Sequence, residues 1–508
     1  MNISVSICGG KNIIRKCSFL LLLLLMNGGL LFAEKVFDFN ADCQQAYKEI
    51  IQWKFVKGQQ LLDIEKAKHP DNLIPYYLEN YIDFFTLFFN EDPAFYKKMS
   101  GRVEDRLDKL NEGPSSSPLF LFTKAIIHFQ WAAIQVKFGH NWDAGWTFRR
   151  SFVQFKQNQS SFPDFYPNQF YRGAMQVAAG TIPDGYKWLS NLLGIKGTIK
   201  DGMNQLKTAL ARTDDWSKLY REEAIFYYCY LKFYIENDKE GVFAFIKEQQ
   251  LDLVNNHLFA YLAANLNLNN HQSATVEKII SERNMAAFYF QTPVWDLEMG
   301  YAKTNHLDPA GVVYLERFIA QFKGKFYVKD ALQKISWHYY LEGQKEKADK
   351  ARREISLKGS SDTEADKQAL KEAQSGLWPN PVLLQSRLLS DGGYYKEAMR
   401  LLHGKTYLSF PQPQDRVEFC YRAGRIYDDI GLKDDAVDFY KQAIRLGEKR
   451  KEYYAARAAL HIGNIFESKG EKTSAIVWYQ KVLDMKDHDY KNSLDQKAKA
   501  GLARCKEQ

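Results

Sequence analysis

The sequence predicts an all-α protein built from stacked helical hairpins. After Asn40, segments of roughly 12 to 20 residues carry apolar side chains at positions i, i+3, i+4 and i+7, and short turns rich in Gly, Asn, Asp and Pro separate them. Alternating runs of Val, Thr and Ile between hairpin turns, which would indicate strands, are missing. Two segments near the C-terminus also repeat the same spacing of small and aromatic residues. We therefore expect helices throughout and no sheet.

Composition and charge narrow the class of protein. The chain has 508 residues, of which 45% are apolar, which suffices for several domains or one long repeat array. A mean hydropathy of −0.43 excludes a protein with many membrane spans. Lys and Arg number 69 against 61 Asp and Glu and are interleaved with them. A nucleic-acid partner is disfavoured, because binding to phosphates requires positive charge concentrated on one face.

The first 33 residues have the three parts of a secretory signal. A basic segment ends at Lys16, an apolar run occupies residues 19–26, and small residues lead to Ala33. We expect cleavage after Ala33 and export to the periplasm or to an outer membrane, with an uncleaved signal anchor as the alternative. Cys17 precedes the apolar run and Cys43 follows it too late, so neither is placed for lipid attachment.

Two segments near the C-terminus share one motif. A first helix carries a glycine with an aromatic residue three positions later, and a second helix carries Ala-x3-Tyr starting twelve positions after the glycine. The residues are Gly424, Tyr427, Ala436 and Tyr440 in the first segment and Gly463, Phe466, Ala475 and Tyr479 in the second. This motif resembles the tetratricopeptide repeat, in which two antiparallel helices form one unit.

The resemblance predicts how the two helices of a unit pack. Gly424 and Gly463 would let the second helix approach the first, and Ala436 and Ala475 are expected to face the glycines. The glycines lie 39 positions apart, against about 34 in the family. We therefore expect the second helix of the first unit to continue through residues 448–451 and so absorb the extra length.

Weaker copies and a terminal cap extend the array. Segments 336–348 and 386–402 keep the same twelve-residue offset between helices. A polar last helix with one apolar stripe suits the end of the array, because the final unit must present a polar face to water. We divide the chain into a signal peptide at 1–33, an aromatic-rich helical region at 34–200, degenerate helical repeats at 201–375, and tetratricopeptide repeats with a capping helix at 376–508.

A second resemblance covers the middle of the chain. Residues 181–189 contain an Ile-Pro turn, residues 192–197 read Leu-Leu-Gly-Ile-Lys-Gly, and Gly202 and Leu206 follow on the next helix. This order is similar to the signature segment of the tetratricopeptide repeat protein 39 family. The members of that family are α-helical repeat proteins without a known common catalytic site. The resemblance therefore implies an architecture rather than an activity.

No arrangement of residues indicates catalysis. The 10 histidines are scattered without a His-Glu-x-x-His helix, and Gly-x-Ser-x-Gly, phosphate-loop and dinucleotide motifs are missing. We therefore expect no enzyme activity, no catalytic residue, no metal site and no cofactor. Dense aromatic stripes at 76–89 and 142–148 are interpreted as helix packing, because a helix with apolar residues at this spacing must bury them.

A partner-binding groove would be lined by first-helix residues that packing does not use. The candidate partner-binding residues are Tyr421, Arg425 and Asp428 in the first unit and Arg457, Asn464 and Glu467 in the second. The sequence predicts an exported, non-enzymatic adaptor or scaffold that binds a protein or peptide in the cell envelope, with peripheral membrane association left open. The alternative is an envelope nutrient- or glycan-binding protein, which the abundance of aromatic residues favours.

Overall fold

The computed structural model describes residues 34–180 and 198–506, and in these ranges the chain is all-α, as predicted. It has 25 α-helices there, a short 3-10 turn at Tyr407–Ser409 and one isolated bridge between Val36 and Asn72. The signal segment at 1–33 and residues 181–197, which carry most of the second resemblance, lie outside the described residues.

The helices are numbered here in chain order over the described residues. The N-terminal part contains α1 Ala41–Ile51, α2 Phe55–Lys68, α3 Ile74–Asn90, α4 Pro93–Asn111, α5 Pro118–Lys137, α6 Asn141–Ser161 and α7 Pro167–Gly180. The central part contains α8 Ile199–Ala211, α9 Asp215–Leu219, α10 Arg221–Tyr234, α11 Lys239–Glu248, α12 His257–Leu268, α13 Ser273–Glu282, α14 Val294–Asn305, α15 Ala310–Gln321, α16 Val328–Leu341, α17 Lys345–Leu357 and α18 Glu364–Ser375. The C-terminal part contains α19 Pro381–Gly392, α20 Tyr395–Leu402, α21 Pro413–Asp429, α22 Lys433–Gly447, α23 Tyr454–Ser468, α24 Lys472–Asp484 and α25 Lys491–Lys506.

Local sequence signals set the ends of these helices. Helix α19 begins where the Asn380 side chain accepts from the amides of Val382 and Leu383, next to a proline that needs no hydrogen-bond partner of its own. Four hairpin turns place a glycine at a φ between 71° and 86°, a conformation that other residues rarely adopt. These glycines are Gly343, Gly393, Gly431 and Gly470.

Neighbouring helices pack in pairs, and the pairs stack side by side. Helix α21 packs on α22 and α23 packs on α24, as the two strong repeats predict, and α16 with α17 and α19 with α20 form the weaker pairs. A series of helices, most of them the first helix of a pair, also contact one another in turn. They are α10, α12, α14, α19, α21, α23 and the capping helix α25. We call this series the first-helix row. The predicted helical-hairpin solenoid is therefore confirmed.

The apolar core follows the stacked pairs. One cluster of buried side chains extends from Phe39 to Ala302, and a second extends from Leu383 to Cys505. Helix α5 has the length and apolar composition of a membrane span, but 61% of its apolar window is buried against other helices, which is typical of a core helix. The division of the chain at residues 200 and 375 stays a prediction.

The two aromatic stripes have different environments. In the first stripe Tyr77 and Tyr81 are fully buried, so the packing interpretation holds there. In the second stripe Trp142 and Trp146 are 58% and 41% exposed, so that interpretation is wrong for these two residues. They lie in the first turns of α6, whose buried residues begin at Ala144 and continue on the opposite face at Ser151. Their rings contact each other edge to face, with centroids 6.1 Å apart.

The contacts inside the repeats correct two predictions. A Cβ on Gly424 would lie 2.6 Å from the Tyr440 ring, and a Cβ on Gly463 would lie 2.6 Å from the Tyr479 ring. The glycines thus accommodate large rings of the second helix rather than alanines. Helix α22 ends at Gly447 instead of continuing through 448–451, because that glycine packs tightly on Val417 and the chain turns. The extra residues between the repeats form a loop.

Candidate functional site

Four of the six predicted partner-binding residues lie in one group on α21 and α23. The side chain of Arg425 forms an ion pair with Asp391 of α19, with Nη1 and Oδ1 2.9 Å apart, and a longer contact with Asp429. Burial opposes the charge on Asp391, but the guanidinium groups of Arg425 and Arg387 outweigh it and lower the pKa of Asp391. Arg425 is therefore held inside the structure rather than presented as a free side chain.

Asp428 connects the two repeats. Its carboxylate accepts from Lys433 at 2.6 Å and from the Tyr440 hydroxyl at 3.2 Å, and His461 of α23 lies 3.6 Å away. Burial lowers the pKa of His461 although Asp428 favours its charged form. Tyr421, predicted to line the groove, is 1% exposed because its ring packs on Tyr440 and His461. Tyr421 is a core residue of the repeat rather than a surface one.

Arg457 is partly buried and lies beside this group. Its guanidinium lies over the ring of Tyr453, 4.7 Å from the centroid, and over the ring of Tyr490 at 5.8 Å. In the part of the chain that the structure describes, no carboxylate lies within ion-pair distance of Arg457. Lys497 of α25 is reached by solvent, but the atoms around it partly desolvate it. This desolvation lowers the pKa of Lys497, and the charge of Arg457 lowers it further. These two cations therefore lie close enough for the charge of one to act on the other.

A third cation and Arg425 complete this group. Lys239, at the start of α11, has a pKa that burial lowers, that Asp429 raises, and that Arg425 and Lys497 lower. We call Lys239, Arg425, Arg457 and Lys497 the cationic cluster. Sequence reasoning missed Lys239 and Lys497, because the first lies about two hundred positions away and the second belongs to the capping helix.

The other two predicted residues lie apart from this group. The side chain of Asn464 is exposed and accepts from the Tyr479 hydroxyl at 2.8 Å. Glu467 is held by Arg504 of α25, whose Nε and Nη2 donate to it at 2.7 and 2.9 Å. The carboxylate of Glu467 is therefore already bound by Arg504 of the capping helix. Only Asn464 of this pair is open to a partner.

A cavity of about 520 Å³ lies on the first-helix row at α10, α12 and α14. This volume is in the range of small-molecule sites. Tyrosine and phenylalanine side chains form most of its wall, and Glu91 and Glu298 are its buried acidic residues. The tyrosines are Tyr230, Tyr234, Tyr261, Tyr301 and Tyr327. Tyr230 and Tyr234, four residues apart, share one face of α10.

A chain of hydrogen bonds leads to Glu298. The Tyr234 hydroxyl donates to Asn265 Oδ1 at 2.8 Å, and Asn265 Nδ2 donates to Glu298 Oε1 at 2.8 Å. Glu298 is 4% exposed, and its Oε2 has no hydrogen-bond partner among residues 34–180 and 198–506. Burial raises the pKa of Glu298 to about 7, and the bond from Asn265 offsets this only in part.

A distant contact closes one side of the cavity. Glu91, just after α3, accepts from the backbone amides of Lys325 and Phe326 at 3.0 and 3.3 Å and pairs with Lys137 at 2.7 Å. A Cβ on Gly324 would lie 2.3 Å from Glu91, so the loop before α16 can approach only as glycine. This contact joins residues more than two hundred positions apart.

A second buried glutamate has a different environment. Glu223 of α10 is 5% exposed and accepts from the hydroxyls of Tyr47 and Tyr81 at 2.8 and 3.1 Å. The Tyr81 hydroxyl also lies 2.9 Å from that of Tyr171. Burial raises the pKa of Glu223 to about 7, and the three tyrosines oppose the rise. This cluster is closely packed within the core.

Within the described ranges, no group of three His, Cys, Asp or Glu residues is arranged to hold a metal ion. The four cysteines there are free and buried, and burial raises the pKa of Cys43, Cys229 and Cys420 to about 12. A thiol with a raised pKa is a weak nucleophile. Both sites offer charged groups, hydrogen-bonding groups and aromatic rings.

Comparison with known proteins supports the repeat assignment. The family model of the tetratricopeptide repeat matches residues 417–449 and 456–489. The chain is also similar to a chain of the APC/C hetero-tetramer Cut9–Hcn1, at 11% identity over 92% of this chain and 97% of that one, with a TM-score of 0.25. It is similar to the TPR domain of P58(IPK), at 13% identity over 81% and 97% of the two chains, with a TM-score of 0.21. A comparison with curated proteins finds no match.

The family match and the hairpin geometry together define a helical-repeat protein that contains tetratricopeptide repeats. Proteins of this class serve as scaffolds for protein interaction. The finer resemblance to the tetratricopeptide repeat protein 39 family stays a resemblance, because its signature lies mostly at 181–197, outside the described residues.

Proposed function

We propose that this protein is an exported, non-enzymatic adaptor whose C-terminal repeats bind an acidic segment of a partner protein. The observation that carries the proposal is the cationic cluster, of which Arg425, Arg457 and Lys497 lie on the first-helix row and Lys239 lies on α11. Arg457 and Lys497 lie close enough to affect each other's charge, and no carboxylate lies within ion-pair distance of Arg457 in the described chain. Two cations that lie close together attract a negatively charged partner.

The cluster also explains why the first-helix row suits this role. Tetratricopeptide units present a continuous surface along their stacked helices. Here Arg457 is fixed over two tyrosine rings, so its guanidinium group is held in place before a partner arrives. Fixed side chains lose less entropy on binding. A carboxylate of the partner would meet donors that are already oriented.

Fluorescence anisotropy with a labelled oligoglutamate peptide tests this proposal. We expect the peptide to bind, an oligoglutamine peptide of equal length to bind at least about tenfold more weakly, and added salt to weaken the binding. Arg457→Ala combined with Lys497→Ala should weaken oligoglutamate binding by about tenfold or more. The matched control is Lys350→Ala with Arg353→Ala, two exposed residues on α17. Equal binding of both peptides would overturn the proposal.

Export is the second part of the proposal, and it rests on the basic, apolar and small-residue segments of 1–33. Expression in a Gram-negative host followed by cell fractionation and N-terminal sequencing tests it. We expect the chain in the periplasmic or outer-membrane fraction with Glu34 at its N-terminus. Full-length protein confined to the cytoplasm would contradict export and would leave the peptide-binding experiment unaffected.

Glycan binding is a second candidate, and the exposed pair of Trp142 and Trp146 favours it. Exposed aromatic rings can stack on sugars, and Arg149 lies over the Trp146 ring at 5.8 Å. A glycan array tests this candidate. We expect any glycan bound at this site to be lost on Trp142→Ala with Trp146→Ala, while oligoglutamate binding is retained. An array without hits would remove the candidate.

A further inference from the structure

The cavity at α10, α12 and α14 has an acidic group without a positive partner. Two lysines lie near its wall, but each has a carboxylate of its own. Lys137 pairs with Glu91 at 2.7 Å, and Lys334 pairs with Asp330 at 2.8 Å. Asn265, which carries no charge, is the residue that donates to Glu298. A buried carboxyl group without a cation avoids the cost of its charge either by keeping a proton or by binding a cation from outside.

The tyrosines of the wall add further hydrogen-bond acceptors. Tyr230, Tyr261 and Tyr327 line the same cavity as Glu298. Tyr230 and Tyr327 are 37% and 42% exposed, so part of each ring remains uncovered. The wall therefore combines acceptor oxygens, the negative faces of aromatic rings and one carboxylate, and all three attract a cation.

Tyr327 is held in an unusual backbone conformation. Its φ is 62°, in the left-handed region that favours glycine. Asp366 of α18 fixes this turn, because its two carboxylate oxygens accept from the amides of Tyr327 and Asp330 at 2.8 and 3.1 Å. Strain of this kind costs free energy and persists where the surroundings require it. Here the strained residue, Tyr327, lines the cavity.

We propose that this cavity binds the primary ammonium group of an organic cation, with Glu298 as its counter-ion. The Glu298 carboxylate, which lines the cavity, and the phenol oxygens of the wall would accept from the ammonium hydrogens. The aromatic rings would cover the alkyl chain behind the ammonium group. The two sites share no residue, although Lys239 of the cationic cluster donates to the carbonyl of Asn269 in the cavity wall at 3.3 Å.

Isothermal titration calorimetry with cadaverine tests the proposal on the mature chain. We expect cadaverine to bind and its neutral analogue pentane-1,5-diol to bind at least about tenfold more weakly. Glu298→Gln, which keeps the shape of the side chain and removes its charge, should weaken cadaverine by about tenfold or more. Equal binding of cadaverine and the diol, or no cadaverine binding, would overturn the proposal.

The matched control is Glu223→Gln. That residue is another buried glutamate with a raised pKa, it accepts from two tyrosine hydroxyls, and it does not line this cavity. We expect this variant to bind cadaverine as the unmodified protein does. Circular dichroism of both variants verifies that they fold. A folded Glu298→Gln variant with unchanged affinity for cadaverine would contradict the role of Glu298.

Two further probes identify the kind and the source of the cation. Choline carries the charge without ammonium hydrogens, so we expect it to bind more weakly than cadaverine, and tighter choline binding would overturn the assignment of a primary ammonium. Nα-acetyl-lysinamide presents the same ammonium group as a lysine side chain of a protein. Both sources fit the proposal, and the tighter of cadaverine and Nα-acetyl-lysinamide identifies which one the cavity takes.

Discussion

Glu223 and Glu298 are both buried and both have tyrosines nearby, but the hydrogen bonding and the packing around them differ. At Glu223 the hydroxyls of Tyr47 and Tyr81 donate to the carboxylate and the rings fill the space. At Glu298 one amide donates, one oxygen has no partner in the described chain, and the rings stand around about 520 Å³ of open volume. A raised pKa is common to both. Open space and an unused acceptor are what distinguish a site for a ligand from a packed core.

The largest expected difference between the two clusters is in stability. Tyr81 is fully buried, so Tyr81→Ala should lower the free energy of unfolding by about 3 to 5 kcal/mol. Tyr234 is 39% exposed at the cavity, so Tyr234→Ala should cost less than about 1.5 kcal/mol. Urea unfolding followed by circular dichroism at a helical wavelength measures both. Equal losses would show that the cavity cluster is a core like the other.

The two carboxyl groups should also make stability depend on pH. Burial raises each pKa to about 7, above the ordinary value of 4.5, so the native state keeps a proton that the unfolded state has lost between these values. The free energy of unfolding therefore decreases as the pH rises from about 4.5 to about 7 and then levels off. Removing one such group should recover up to about 3 kcal/mol at about pH 8.

Glutamine variants separate the two groups in this respect. Glu298→Gln should be more stable than the unmodified protein at about pH 8 and close to it at about pH 4. Glu223→Gln should gain less, because its amide nitrogen would face hydroxyls that now donate to an oxygen. Thermal unfolding at the two pH values measures the difference. A gain for Glu298→Gln that does not change with pH would contradict the raised pKa.

A smaller effect is expected where the loop before α16 meets Glu91. Glu91→Ala removes the acceptor of the Lys325 and Phe326 amides, so these amides should exchange with deuterium about tenfold faster. Hydrogen exchange with mass spectrometry measures this change. Glu112→Ala, at an exposed acid paired with Lys109, is the control and should leave these amides unchanged. Unchanged exchange in Glu91→Ala would show that other contacts hold the loop.

The smallest effect is expected for Tyr234→Phe. This change removes only the hydroxyl that donates to Asn265, which in turn holds Glu298. The loss of one such bond should weaken cadaverine binding about threefold and leave the fold intact. Calorimetry resolves a change of this size. A loss as large as that of Glu298→Gln would mean that Tyr234 contacts the ligand directly.

The helices and the repeats could be predicted from the sequence because both depend on local spacing. Periodic apolar residues predicted the helices, and Gly424 with Tyr440 marked a repeat before the structure showed their contact. The same spacing could not identify which second-helix residue meets the glycine. Nor could it predict that α22 ends at Gly447, because that end depends on packing against Val417.

The central cavity could not be predicted, because no local pattern marks it. Its wall combines residues from α3, α10, α12 and α14, and the contact that closes it joins Glu91 to Lys325. Glu298 looks in the sequence like any solvated helix charge. The C-terminal group was found in part, since Arg425 and Arg457 share a helix face that repeats along the row. The prediction that Tyr421 lines the groove was wrong, because the burial of Tyr421 depends on rings from the next repeat.

The most direct measurement is the pKa of each buried glutamate, obtained by NMR of carboxyl carbons with and without cadaverine. A cation beside Glu298 stabilises its charged form, so its pKa should fall by about one unit or more when cadaverine is bound. The pKa of Glu223 should stay where burial holds it. Equal shifts at both residues, or none at Glu298, would contradict the distinction between the open and the closed cluster.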